Sequence, residues 1–93
     1  MKIKRKENIV SRKIHGSFFL IDISDNYSGD KCSLYEVNQT GMFIWNNIDG
    51  NRTTYDLAEL LKSAIIDDID IEILHSDVSE FVSTLIQKNF LEV

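Results

Sequence analysis

Tyr35-Glu36-Val37-Asn38-Gln39-Thr40-Gly41-Met42-Phe43-Ile44-Trp45-Asn46-Asn47-Ile48-Asp49-Gly50 is the stretch on which the fold turns. Its first residues close a run of strand composition, Cys32-Ser33-Leu34-Tyr35-Glu36-Val37. Asn38 then changes the period. Its side chain can accept a backbone N–H and cap a helix. Met42, Ile44, Trp45 and Ile48 follow at near-helical spacing. Asp49-Gly50 stops that helix, because glycine enters the left-handed region without a Cβ clash. The chain therefore passes from sheet to helix at residue 38.

Upstream, residues 9–15 and 17–23 read as two further strands, the second rich in β-branched and aromatic residues (Phe18, Phe19, Leu20, Ile21, Ile23). Gly16 between them suits a tight turn. Residues 25–30 form a loop by composition. Downstream, Thr53 with Asp56 three residues on has the form of a capping box. Leu57, Leu60, Leu61 and Ala64 make a stripe behind it. Asp70 is expected to cap a third helix over roughly 71–89. On that helix Leu74, Val78, Phe81 and Leu85 are assigned to the core, and Val82 and Ile86 to a flanking groove. Phe90-Leu91-Glu92-Val93 supplies a short tail strand or packs back on the core. The expected architecture is α+β and winged-helix-like: a three-stranded antiparallel sheet followed by three helices.

Ninety-three residues make one domain, residues 1–93. The apolar fraction of 43% and charged fraction of 27% are those of a folded soluble chain rather than a disordered one. Apolar runs are strand-sized and no apolar stretch follows the basic start, so neither a membrane span nor a secretory signal is expected and the cytoplasm is the default location. Charge is divided unevenly. Residues 1–13 hold six basic groups and one acidic group, whereas the remaining eighty hold four and fourteen, for an overall −5. Residues 1–8 are read as a flexible basic tail on an acidic body.

No constellation for chemistry emerges. His15, His75 and Cys32 lack metal-ligand spacing. Cys32 is the single cysteine and has no histidine near it in sequence. The four glycines are isolated, so no phosphate loop exists. The expectation is a non-enzyme with no catalytic residue, metal or cofactor. A helix that reads DNA needs Arg, Lys, Asn or Gln at base edges and basic groups at phosphates. Helix three instead offers Glu72, Asp77 and Glu80 against Lys88, so a winged-helix nucleic-acid binder is the weaker alternative. Peptide binding fits better. A sheet this small leaves edges whose N–H and C=O groups can take up an added strand, and the same edges permit self-pairing into a homodimer.

The stretch from Tyr35 to Gly50 also resembles the signature of the coenzyme PQQ synthesis protein D family, an apolar-Asn-x-[Thr/Val]-Gly-x-x-Ile-Trp segment followed by Asp-Gly. The resemblance continues through Thr53, Thr54 and Leu57, then Asp77-Val78-x-x-Phe81-Val82-x-x-Leu85 and Phe90-Leu91, covering about residues 9–92. It implies a stand-alone recognition element that holds the leader of a ribosomally made precursor peptide for a modifying enzyme, a radical SAM protein, or for a leader peptidase. It further implies that the leader lies as an added strand against Ser33, Leu34, Tyr35, Glu36 and Val37. The cleft is then closed by Asp77, Val78, Phe81, Val82 and Leu85. Asn38, Gly41, Trp45, Asp49 and Gly50 take structural roles in this resemblance.

Overall fold

The computed structural model describes residues 2–23, 33–65 and 68–93. Strands β1 (Lys4–Arg5), β2 (Ile9–Ile14), β3 (Ser17–Asp22) and β4 (Ser33–Val37) precede helices α1 (Gln39–Asn46), α2 (Thr54–Ala64) and α3 (Ile71–Gln87), and β5 (Leu91–Glu92) closes the chain. β2, β3 and β4 form the expected antiparallel sheet in that order. The loop expected at 25–30 and Cys32 lie outside the described residues.

The β2–β3 turn follows from its two central residues. His15 and Gly16 both have positive φ, 51° and 83°, as a type I′ hairpin demands. Such a turn twists with the strands and pairs Ile14 with Ser17. Side chains then alternate. Leu20 and Val37 face inward and are buried, while Arg12, Ile14, Leu34 and Glu36 face outward and are exposed.

Asn38 caps α1 as expected: its Oδ1 accepts from the Gly41 N–H at 2.7 Å. Trp45, Met42 and Ile44 are buried beneath it. The capping box of α2 is complete. The Thr53 N–H donates to Asp56 Oδ2 at 2.9 Å and the Asp56 N–H donates to Thr53 Oγ1 at 3.1 Å. The Thr53 backbone N–H foremost, and then the Thr53 side chain, hold the Asp56 carboxyl below the usual carboxylate range. The stripe on α2 is shifted by a residue, with Leu57, Ala58 and Leu61 buried and Ala64 exposed. Asp70 stands at the N-cap of α3 but makes no side-chain capping bond. α3 ends in a Schellman motif. Asn89 has φ 65°, its N–H donates to Ile86 O at 3.0 Å, and the Phe90 N–H donates to Leu85 O at 2.9 Å. Leu85 and Phe90 are both buried, so the motif also turns the chain back onto the core.

That return forms the tail strand expected at residues 90–93 and gives it a partner the sequence reading missed. β5 pairs with β1, Lys4 opposite Glu92 and Arg5 opposite Leu91. Ile3 is buried at 2% exposure and bonded on both sides, its N–H to Arg52 O and its carbonyl to the Gly50 N–H. The Arg5 guanidinium stands 5.7 Å from the Trp45 ring centroid. Residues 3–5 are therefore docked on the body, where a flexible tail was expected over residues 1–8. Burying Ile3 and pairing Lys4–Arg5 outweigh the repulsion among neighbouring cations, whose heads stay in water.

Candidate peptide-binding cleft

β4 is an edge strand. The parity of its hydrogen bonds follows from β3. The Ile23 N–H donates to Asn8 O, and Ile14 pairs with Ser17 across the tight turn, so odd-numbered β3 residues bond toward β2. Phe18, Leu20 and Asp22 must then bond toward β4, to Val37, Tyr35 and Ser33. What remains on the open side is the main chain of Leu34 and Glu36. Two N–H and two C=O groups point away from the sheet, spaced for an incoming strand.

Beside this edge runs α3. Between the two is a trough of about 260 Å³, walled by Tyr35 on the strand and by Asp77, Glu80, Phe81 and Thr84 on the helix. The helical wall is one face of α3, since residues three and four apart stack on each other. A second hollow of about 330 Å³ continues toward the helices, lined by Asn38, Thr40, Gly41 and Ile44 on one side and Leu61, Leu74, Asp77, Val78 and Phe81 on the other. Asp77 and Phe81 line both and form the ridge between them.

Phe81 can lie there because residue 41 has no side chain. A Cβ on Gly41 would sit 3.1 Å from Phe81 Cε1 and 3.2 Å from Val37 Cβ. Tyr35 is held from behind by edge-to-face contact with the buried Phe90, centroids 6.5 Å apart, and Lys88 Nζ stands 4.9 Å over its ring. Asp77 and Glu80 are exposed, so the helical wall is acidic. The hydroxyl of Thr84 donates to Glu80 O at 3.0 Å, within its own helix.

The residues singled out from the sequence separate into three groups. Tyr35, Asp77, Val78 and Phe81 line the hollows. Ser33, Leu34, Glu36 and Val37 lie on the edge strand, with Leu34 and Glu36 turned to the outer face of the sheet and Val37 to the core. Val82 and Leu85 are core residues, 3% and 0% exposed, and line neither hollow. The groove assignment of Val82 is thus corrected, whereas Phe81, given to the core by its spacing and to the cleft by the resemblance, lines both hollows. α3 buries the row Leu74, Val78, Val82, Leu85. This presents the neighbouring row, with Phe81, to α1 and β4. Thr40, Glu80 and Thr84 were not assigned to the site. For Glu80 and Thr84 the signal was the spacing of 77, 80, 81 and 84 on one helical face. Among the described residues no group of three His, Cys, Asp or Glu side chains is arranged to hold a metal, and no helix is long and apolar enough to cross a membrane.

An α+β domain with an unpaired strand edge facing an amphipathic helix across an open trough is the class of protein these features define. The family model for coenzyme PQQ synthesis protein D matches residues 27–91, and the chain belongs to that family. Two solved structures share its fold. A lasso peptide synthetase B1 complexed with the leader peptide superposes with a TM-score of 0.75 at 16% identity, covering 100% of both chains. TbiB1 in complex with the TbiA(beta) leader peptide gives 0.73 at 18% identity, covering 96% of this chain and 94% of the other. No curated protein sequence matches the chain significantly.

Proposed function

We propose that this chain binds the leader segment of a ribosomally made precursor peptide in the cytoplasm and presents it to a processing enzyme, either a radical SAM protein or a leader peptidase. The observation that carries the reading is the open β4 edge. Its outward main-chain groups at Leu34 and Glu36 stand beside a trough with an aromatic ridge at Phe81. An added strand would bond to that edge and point every second side chain toward α3. The larger hollow, floored by Leu74, Val78 and Leu61, has room for one bulky apolar anchor. The acidic wall of Asp77 and Glu80 favours a leader with Lys or Arg at positions facing it. Membership of the family and the two leader complexes that share the fold support the same reading.

No reaction is needed within the domain. Holding the leader raises the local concentration of the precursor at the enzyme. Nucleic-acid binding is not favoured, because the exposed acids Glu72, Asp77 and Glu80 on α3 repel phosphates.

The test is a titration of isotope-labelled protein with synthetic leader peptides of precursors encoded beside its gene, followed by backbone NMR. Shifts concentrated on residues 33–38 and 77–84, with an affinity that falls as salt is raised, are expected. Shifts elsewhere, or none with folded protein, overturn the assignment.

A further inference from the structure

Among the described residues, the outer face of the β2–β3–β4 sheet, turned away from the helices, is unpartnered. It carries Val10, Ile21 and Leu34 in one row across the strands and Arg12, Phe19 and Glu36 in the next. Leu34 is 55% exposed, and Ile14 and Ile23 on the same face are 45% and 52% exposed. Half of the exposed large apolar residues of the described chain are therefore gathered on one small face. Arg12 and Glu36 lie at its two sides, two strand spacings or roughly 10 Å apart. Among the described residues neither has an ion-pair partner.

This arrangement is self-complementary. Consider a second copy laid face to face, related by a two-fold axis parallel to β3. The rotation places β2 of each copy over β4 of the other and β3 over β3. Val10 then meets the second copy's Leu34, Ile21 meets Ile21, Phe19 meets Phe19, and each Arg12 meets a Glu36. Apolar residues fall on apolar residues and both charges find an opposite partner, which is what an isologous interface requires. The twist of each sheet offsets the strands by about 30° and leaves these pairings in reach. We propose that the chain forms a weak, reversible homodimer through this face. Strands of five or six residues and a width of three strands give a footprint of roughly 300 Å² per copy, well under the ~800 Å² per partner of a standard stable interface. The dimer is accordingly one of high concentration, assembling between roughly 20 µM and 1 mM. It leaves both β4 edges open and on opposite sides, so it does not depend on the leader reading and does not compete with it.

Sedimentation equilibrium over that concentration range tests the proposal, with circular dichroism to verify the fold of each variant. Wild-type average mass is expected to climb from monomer toward dimer. Arg12→Glu alone, or Glu36→Arg alone, sets like charges opposite each other twice and should weaken association on the order of tenfold. The decisive arm mixes the two single variants. In the mixed pair every charge again meets its opposite, so association should return, as it should in the double variant R12E/E36R. Constant monomer mass up to ~1 mM overturns the proposal. So does association that is untouched by either substitution, or single variants that fail to complement on mixing. Monomeric behaviour combined with loss of precursor processing in Ile21→Glu would instead assign the face to a different protein partner.

Discussion

Replacing Leu34 by proline separates binding at the β4 edge from the stability of the fold. By the parity of the sheet, the Leu34 N–H points away from β3 and has no partner among the described residues. Proline there deletes a donor offered to an added strand without deleting a ladder bond, which is the one strand position where proline is tolerated. The loss to a bound leader is one net hydrogen bond, about 1 kcal/mol, plus the desolvation of the leader carbonyl left unpaired, about 1–3 kcal/mol. A total of roughly 2–4 kcal/mol weakens the complex roughly 30- to 700-fold. Anisotropy of a labelled leader peptide measures this directly, and thermal melting followed by circular dichroism should show a shift of only a few degrees. Tyr35→Pro is the converse control. It removes a bond to Leu20, costs about 2–3 kcal/mol of folding energy and should lower the melting temperature by more than ~10 °C. Unchanged leader affinity in folded Leu34→Pro protein would refute the added-strand geometry, and equal destabilisation by both prolines would refute the parity.

Four further outcomes can be checked on the same material. Val82→Asp buries an unpaired charge and should cost about 3–5 kcal/mol, abolishing cooperative melting. Phe81→Ala, at a half-buried site, should leave the domain folded but weaken leader binding at least about tenfold in the same anisotropy assay. Gly41→Ala gains up to about 1 kcal/mol of helix propensity but drives a Cβ into Phe81 and Val37, so a small net loss of stability and a shifted Phe81 ring signal in NMR are expected. Asp56 titrates below its ordinary range because Thr53 bonds its charged form. Its contribution is complete above that range and is lost as pH falls through it. Denaturant melts from pH 6 down to ~pH 2.5 should therefore show the stability gap between wild type and Asp56→Asn narrowing as the pH falls.

Much of this was legible in the sequence because the signals are local. Asn38 with Gly41, Thr53 with Asp56, and the strand run around Phe18–Ile21 each announce themselves within a few residues. The clasp of β1 on β5 does not. A two-residue strand has no period to detect, and its partner lies almost the whole chain away. Ile3, set between two lysines, reads as part of a solvated tail until Gly50 and Arg52 supply its backbone partners. The exchange of Val82 and Phe81 has a different origin. The rows 74-78-82-85 and 74-78-81-85 are both acceptable helical stripes, and only tertiary packing chooses between them. The close approach of Phe81 to Gly41 is part of that packing.

The outward alternation of Leu34 and Glu36 gives the β4 edge a reading frame. A strand laid against it bonds at every second residue, so its side chains divide into one set aimed at Phe81 and Asp77 and one aimed away. Slipping by two residues offers the cleft the same set of side chains at new positions. Slipping by one exchanges the sets and puts every anchor on the wrong side. Ligands of this edge are therefore parsed as spaced pairs rather than as contiguous words. A single inserted residue between two anchors silences them, whereas the same insertion outside the paired segment goes unread.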